Sequence, residues 1–259
     1  MTVLEVDVPF GVAHRGSRLL WPENTMVAFA GAVDLGFNWL ETDLHLTSDG
    51  VVVCLHDDDL DRTTDGHGPV SSSTIGEVTS LDAGFHHGTP HDHPFRGEGI
   101  GIPTLEELVT TFPSARLIVD LKQDGLEAPV WRLIQRHDLH ERLVVGSFSG
   151  RRLARFRRLS GGSVATSTGP VRSVVAWAGA LAGRAPKLGD AVQLPHRFGV
   201  LRPITPRSIR GFQNGGLQVH VWTVNDEPTM RGLLSAGVDA IITDRPDLLG
   251  PILDETRSP

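Results

Sequence analysis

Short apolar runs of β type alternate with helical patterns from residue 10 to the end of the chain. No other feature constrains the fold more tightly. Eight runs stand out, at residues 10–14, 38–43, 116–122, 143–147, 163–166, 191–194, 217–223 and 240–243. Between the first two, Met26, Phe29, Ala30 and Val33 share one face of a predicted helix. Asn24 is placed to cap its start and Gly36 to end it. A further run, 51–56, follows Ser48-Asp49-Gly50 too soon for a parallel crossover, which needs about a dozen residues. It reads as a hairpin-like excursion from the loop after the second strand, and it carries His56 into a βα loop. Eight β/α units in 259 residues predict an α/β chain folded as a TIM (β/α)8 barrel, one domain over residues 1–259. Residues 57–103, rich in Gly, Pro, Ser, Asp and His, read as a loop insertion. The capping box Thr104-Leu-Glu-Glu107 closes it and starts the next helix.

Composition excludes several partners. A net charge of −7 argues against a nucleic-acid backbone. A single cysteine, Cys54, rules out an intramolecular disulfide and suits a reducing compartment. The N-terminal stretch lacks the basic and apolar regions of a signal peptide, and no run approaches the ~20 apolar residues of a spanning helix. The expected setting is cytoplasmic, with no stable membrane association; the oligomeric state is left open. The basic stretch at 151–158, RRLARFRR, reads as a solvated helix face around Leu153 and Phe156 in preference to a lipid contact.

Barrel chemistry sits at the C-terminal strand ends. Strand one ends in His14-Arg15-Gly16, strand two in Glu41-Thr42-Asp43, the excursion in His56-Asp57, strand three in Asp120-Leu121-Lys122, and strand seven near Trp222. Because strand side chains alternate, Glu41 and Asp43 point one way, as do Asp120 and Lys122. Three clustered carboxylates repel unless a cation sits among them, and oxygen-only ligation favours one hard divalent ion, Ca²⁺ or Mg²⁺, with Mn²⁺ also compatible. Any one pair could instead be a strand-end salt bridge; the three together favour a metal. His14 and His56 form the candidate acid–base pair, since imidazole titrates near neutrality. Arg15 and Lys122 supply fixed positive charge for a phosphoryl group, against the plainer reading that they pair with Glu23 or with the metal-site carboxylates.

The segments AHRG at 13–16, PENT at 22–25, LETDLHLTSDG at 40–50, LHDDDLDRTTDG at 55–66, IPTLEEL at 102–108, DLK at 120–122, SF at 147–148, VWTVN at 221–225 and ITDRP at 242–246 resemble the motifs of the glycerophosphodiester phosphodiesterase family. The resemblance implies a TIM barrel with an insertion and hydrolysis of small-molecule glycerophosphodiesters to sn-glycerol 3-phosphate and an alcohol. It implies catalytic roles for His14 and His56 and metal ligation by Glu41, Asp43 and Asp120. Phosphate contacts fall to Arg15 and Lys122, and Trp222 lines the substrate pocket or packs in the core. Two positions depart from the pattern: Asp120 stands where Glu is common, and Trp21 precedes PENT where a small residue is usual. The His-rich segment at 86–93 reads as a solvated loop, with transition-metal binding the less favoured alternative. Two other functions compete: lysophospholipase D or sphingomyelinase D-like action on lipid phosphodiesters, and an inert phosphodiester-binding barrel.

Overall fold

The computed structural model describes residues 3–89, 91–199 and 201–257, which leaves Pro90 of the His-rich segment outside the described residues. Nine strands form: β1 (Phe10–Ala13), β2 (Trp39–Leu46), β3 (Val52–Cys54), β4 (Arg116–Leu121), β5 (Leu143–Gly146), β6 (Ala165–Thr166), β7 (Ala191–Pro195), β8 (Gln218–Trp222) and β9 (Ala240–Thr243). Nine α-helices accompany these strands among the described residues: α1 (Met26–Asp34), α2 (Ile75–Thr79), α3 (Leu105–Thr111), α4 (Glu127–Arg136), α5 (Gly150–Ser160), α6 (Pro170–Leu181), α7 (Pro206–Asn214), α8 (Glu227–Ala236) and α9 (Pro246–Arg257). Eight strands pair in parallel in the order β6-β5-β4-β2-β1-β9-β8-β7. A parallel bridge between Ser167 and Ala191 joins β6 to β7 and brings the sheet round into a nearly closed barrel. The TIM barrel expected from the sequence is the fold observed.

Two-residue alternation explains how this barrel is both packed and reactive. Phe10, Val12, Trp39, Ile118, Val144, Ala165, Ala191, Ala240 and Ile242 interlock as one buried cluster inside the lower barrel, and Val3, Leu4 and Val6 plug it from below. Continuing each inward series upward by two residues gives His14 after Val12, Glu41 and Asp43 after Trp39, Asp120 after Ile118, and Asp244 after Ile242. The strand floor is therefore apolar, apart from the buried His220 of β8, and its rim polar. The outward residues, among them Leu40, Leu117, Val119, Val145, Val219 and Ile241, pack against the helices in the main core.

Two expectations are corrected. The second strand runs three residues past Asp43, because β3 folds back antiparallel and pairs Leu44 with Cys54, His45 with Val53 and Leu46 with Val52. The cap of α1 is Thr25, whose side chain accepts from the Ala28 amide, and not Asn24. Asn24 adopts a left-handed backbone (φ 57°), which turns its buried side chain toward β2. By contrast, the capping box of Thr104 and Glu107 starts α3 as expected.

The insertion between β3 and α3 has its own small core of Val53, Leu55, Leu60, Val70, Val78, Ala83, Ile100 and Ile102. Trp21, unusual before PENT, lies on Gly31 of α1, where a Cβ would come within 2.5 Å of the indole. The absence of a side chain at position 31 is what accommodates it.

Candidate active site

Residues 14–16 form a 3-10 turn directly after β1. Gly16 is required there: its φ is +75°, and a Cβ would sit 2.7 Å from the Ala28 carbonyl carbon. Arg15, Ser17 and Asn24 also take positive φ within this one loop. Each such residue costs about 1–3 kcal/mol and persists only where its surroundings overdetermine it. They do so here. The Arg15 amide donates to Glu41 Oε2 at 3.0 Å, Ser17 Oγ donates to the Asp244 carbonyl at 2.6 Å, and Asn24 accepts from Thr42 Oγ1 at 2.8 Å.

The two candidate histidines are each held by a carboxylate through Nδ1. His14 Nδ1 lies 2.7 Å from Asp244 Oδ1, and His56 Nδ1 lies 2.5 Å from Asp57 Oδ1. That leaves both Nε2 atoms for other work; His14 Nε2 is 3.9 Å from Glu41 Oε2. Burial opposes ionisation of Asp244, but bonds from His14, Asn225 and Arg18 outweigh it and hold its carboxyl below the usual range. Burial likewise opposes ionisation of Asp57, yet Arg62 and His56 pull its carboxyl down to about 2. Burial lowers the His56 imidazole below its ordinary value, with Asp43 and Asp57 offsetting part of the effect. Buried His45 steadies His56 from behind, 3.2 Å from its carbonyl.

The acidic group is arranged along two neighbouring strands. Asp43 and Asp120 are register partners on β2 and β4, with Glu41 one inward position below Asp43. Lys122 Nζ sits between the two aspartates, 2.7 Å from Asp43 and 2.8 Å from Asp120. Arg15 Nε lies 3.0 Å from Asp43, and its Nη1 lies 2.8 Å from Glu23. Both the site pairing and the plainer Glu23 pairing are therefore present. Burial opposes the charge of Lys122, but Asp120 and Asp43 hold its ammonium above the ordinary lysine value. Burial, then Asp43, pushes the Glu41 carboxyl up to about 7, and burial raises Asp120 despite Lys122.

Among the described residues, no three His, Cys, Asp or Glu side chains already surround a common point. This applies to the His-rich segment as well as to the carboxylates, where the Lys122 ammonium separates Asp43 from Asp120. The donor chemistry of Glu41, Asp43 and Asp120 nonetheless fits a hard divalent ion. All three donor groups are carboxylates, all are buried, and burial raises two of them, Glu41 and Asp120, above the usual carboxyl range.

Trp222 ends β8 half-buried, apart from the carboxylates. It meets Phe148 edge-on at 5.9 Å, and Phe148 in turn lies 5.4 Å from Lys122 Nζ. On the opposite side, a cleft of about 380 Å³ opens between the loop after β1 and the insertion, lined by Arg18, Glu23, Arg62, His86 and His87 among others. Arg62 joins its walls: it bonds Asp57 through Nε and grips both Glu23 oxygens at 2.9 and 2.7 Å.

Sequence reasoning gave no role to Asp244, Asn225, Asp57, Arg62 or Ser17, although all but Ser17 lie within the motif segments. Asp244 was findable, since it extends the inward series Ala240, Ile242 by two residues. Asn225, which donates to Asp244 Oδ2 at 2.9 Å, extends no such inward series, and its one signal is its place at the end of VWTVN.

A parallel β/α barrel whose mouth gathers two histidine–carboxylate pairs, two cations and three carboxylates is equipped for proton transfer beside an anionic group. Comparison with known proteins narrows this. Residues 14–248 match the Glycerophosphoryl diester phosphodiesterase family. The chain is 39% identical over 250 residues to a Mycobacterium tuberculosis protein named "Probable glycerophosphodiester phosphodiesterase 2", covering 93% of this chain and 89% of that one. It is 32% identical over 245 residues to a glycerophosphodiester phosphodiesterase of Caldanaerobacter subterraneus, covering 92% and 95%. Among solved structures, an Oleispira antarctica phosphodiesterase in complex with the product sn-glycerol-3-phosphate superposes with a TM-score of 0.79 at 28% identity, covering 95% of this chain and 97% of that one. The chain belongs to the glycerophosphoryl diester phosphodiesterase family.

Proposed function

We propose that this chain hydrolyses small glycerophosphodiesters to sn-glycerol 3-phosphate and an alcohol, with His14 and His56 as its acid–base pair. The observation that carries the reading is the pairing of His14 with Asp244 and of His56 with Asp57 beside Arg15, Lys122 and three buried carboxylates. The family relationship and the product-bound Oleispira antarctica relative support the substrate class.

Each histidine donates or accepts through Nε2 while its carboxylate holds the ring and stabilises the imidazolium. Burial favours neutral His56 near pH 7, the form that takes a proton from the attacking oxygen. His14, beside the Asp244 and Glu41 carboxylates, suits protonation of the leaving oxygen. Arg15 and Lys122 orient the non-bridging oxygens and offset their charge. Glu41, Asp43 and Asp120 would hold one divalent ion, Ca²⁺ or Mg²⁺, which when bound supplies Lewis-acid stabilisation of the phosphoryl group. The attacking oxygen belongs to water or to the substrate's own 2-hydroxyl; a cyclic phosphodiester trapped in a single turnover identifies the latter.

Release of glycerol 3-phosphate from glycerophosphocholine tests the reading, with chelator and metal add-back. His14→Ala and His56→Ala should each lower turnover about 10²–10⁴-fold. Near wild-type turnover in either variant refutes the pairing, and activity that survives thorough chelation refutes the metal assignment.

A further inference from the structure

Charge is divided very unevenly around this barrel. Residues 142–225 hold 13 of the 24 Lys and Arg but only one, Asp190, of the 31 Asp and Glu. That stretch carries +12, against −19 for the remainder. It builds the adjacent strands β5, β6, β7 and β8 with the helices α5, α6 and α7, and hence one side of the barrel.

The mouth on this side also exposes large apolar side chains. Phe148 on the loop after β5, Val171 and Val174 at the start of α6, and Phe198 and Leu201 on the loop after β7 are 57% to 78% exposed. An antiparallel bridge between Phe198 and Leu201 folds the last loop back on itself. Trp177 Nε1 donates to the Pro203 carbonyl at 3.0 Å, tying α6 to this loop, with Val174 on the same helix face one turn before Trp177. Phe148 continues the rim to Trp222 and Lys122 in the candidate site. Arg172, Arg197 and Arg202 are exposed between these apolar residues. Among the described residues, the ion pairs that arginines of residues 142–225 make are those of Arg152 and Arg155 with Asp124 and Glu127, away from these three.

A cluster of exposed apolar side chains is costly in water, and unpaired cations around it repel one another. One partner relieves both. At an anionic lipid surface, apolar side chains sink to the acyl boundary while guanidinium groups meet phosphates. A nucleic acid would engage the arginines and leave the valines and Leu201 wet. The acidic side of the barrel is repelled by the same surface, which fixes the orientation.

We infer that the β5–β8 side of the mouth docks reversibly on the surface of an anionic lipid bilayer, setting the candidate site at headgroup level. This goes beyond the proposed hydrolysis and does not depend on it, because docking is read without turnover. It also departs from the sequence-based expectation of no stable membrane association, since only the fold gathers these residues.

The test is flotation of the full chain with vesicles of phosphatidylcholine alone or mixed with phosphatidylglycerol, at low and high salt. The wild type should float with the mixed vesicles, weakly with neutral ones, and be released by salt. R197E/R202E and, separately, F198S/L201S should each weaken partitioning about tenfold or more while leaving the melting temperature unchanged, as all four positions are exposed. Failure of the wild type to float, equal binding to both vesicle types, or full binding by either variant overturns the inference. So does displacement from the vesicles by duplex DNA, or a self-association in the absence of lipid that R197E/R202E abolishes.

Discussion

His220 gives this barrel an acid weakness whose size follows from its surroundings. It points inward from β8, fully buried, edge-on to Phe10 with ring centroids 5.5 Å apart. Its Nε2 is 3.1 Å from Gln218 Oε1, and its buried Nδ1 has no hydrogen-bond partner among the described residues. Burial, with no anion to oppose it, drives the imidazole down to about 3. An unfolded histidine titrates at about 6.5. Well above that value both states are neutral and the titration of His220 contributes nothing to stability. As the pH falls below it, the unfolded chain binds a proton that the folded chain refuses, so stability is lost progressively until the folded ring also titrates. At about pH 5, one and a half units below the unfolded value, the loss is about 2 kcal/mol. His220→Leu keeps roughly the side-chain volume and removes the titration. Urea unfolding at about pH 7.5 and pH 5 measures the difference, and comparing pH responses cancels any constant cost of the substitution. The wild type should lose about 2 kcal/mol more than His220→Leu over that interval. Equal losses in the two proteins would refute a neutral buried imidazole.

Other outcomes follow from the mouth. Asp244→Asn should lower kcat for glycerophosphocholine at least about 100-fold with little change in KM, because His14 loses its anionic partner but keeps a neighbour of the same shape. Arg62→Ala frees Asp57 and Glu23 together; a fall in kcat of about tenfold and a lower melting temperature are expected, and Arg62→Lys should not restore them because it cannot grip both Glu23 oxygens. Gly16→Ala should destabilise the fold by about 2 kcal/mol or more in chemical denaturation, as it adds left-handed strain to a clash with the Ala28 backbone. In a pH–rate profile, kcat/KM should fall on the acid side only below about 6.5, because burial places His56 under the ordinary imidazole value.

Much of this was legible in local pattern. Two-residue alternation marks which side chains of a strand share a face, so Glu41 with Asp43 and Asp120 with Lys122 could be paired before any coordinates. The short distance from Asp43 to Val51 made a parallel crossover impossible, and β3 is indeed antiparallel. Asn24 was misread because a left-handed backbone is not encoded in periodicity; the capping role passed to Thr25 when Asn24 turned to Thr42 and Asp43. Pairing of Lys122 with the strand-end carboxylates was open from the sequence as the plainer alternative to a phosphate contact, and the structure shows that pairing with Asp43 and Asp120.

The sequence by itself determined the barrel and most of its elements, and marked His14, His56, Arg15 and the acidic trio as candidates, because each rests on short-range spacing or a motif. Tertiary structure alone decided the partnerships. Asp244 lies 230 residues from His14, and the two meet because β1 pairs with β9 where the barrel comes round. The rim of Phe148, Val174, Phe198 and Leu201 is assembled from three separate loops and helix starts far apart in the chain. Barrel closure sets such neighbours by geometry across the whole chain, and no local window of the sequence spans that distance.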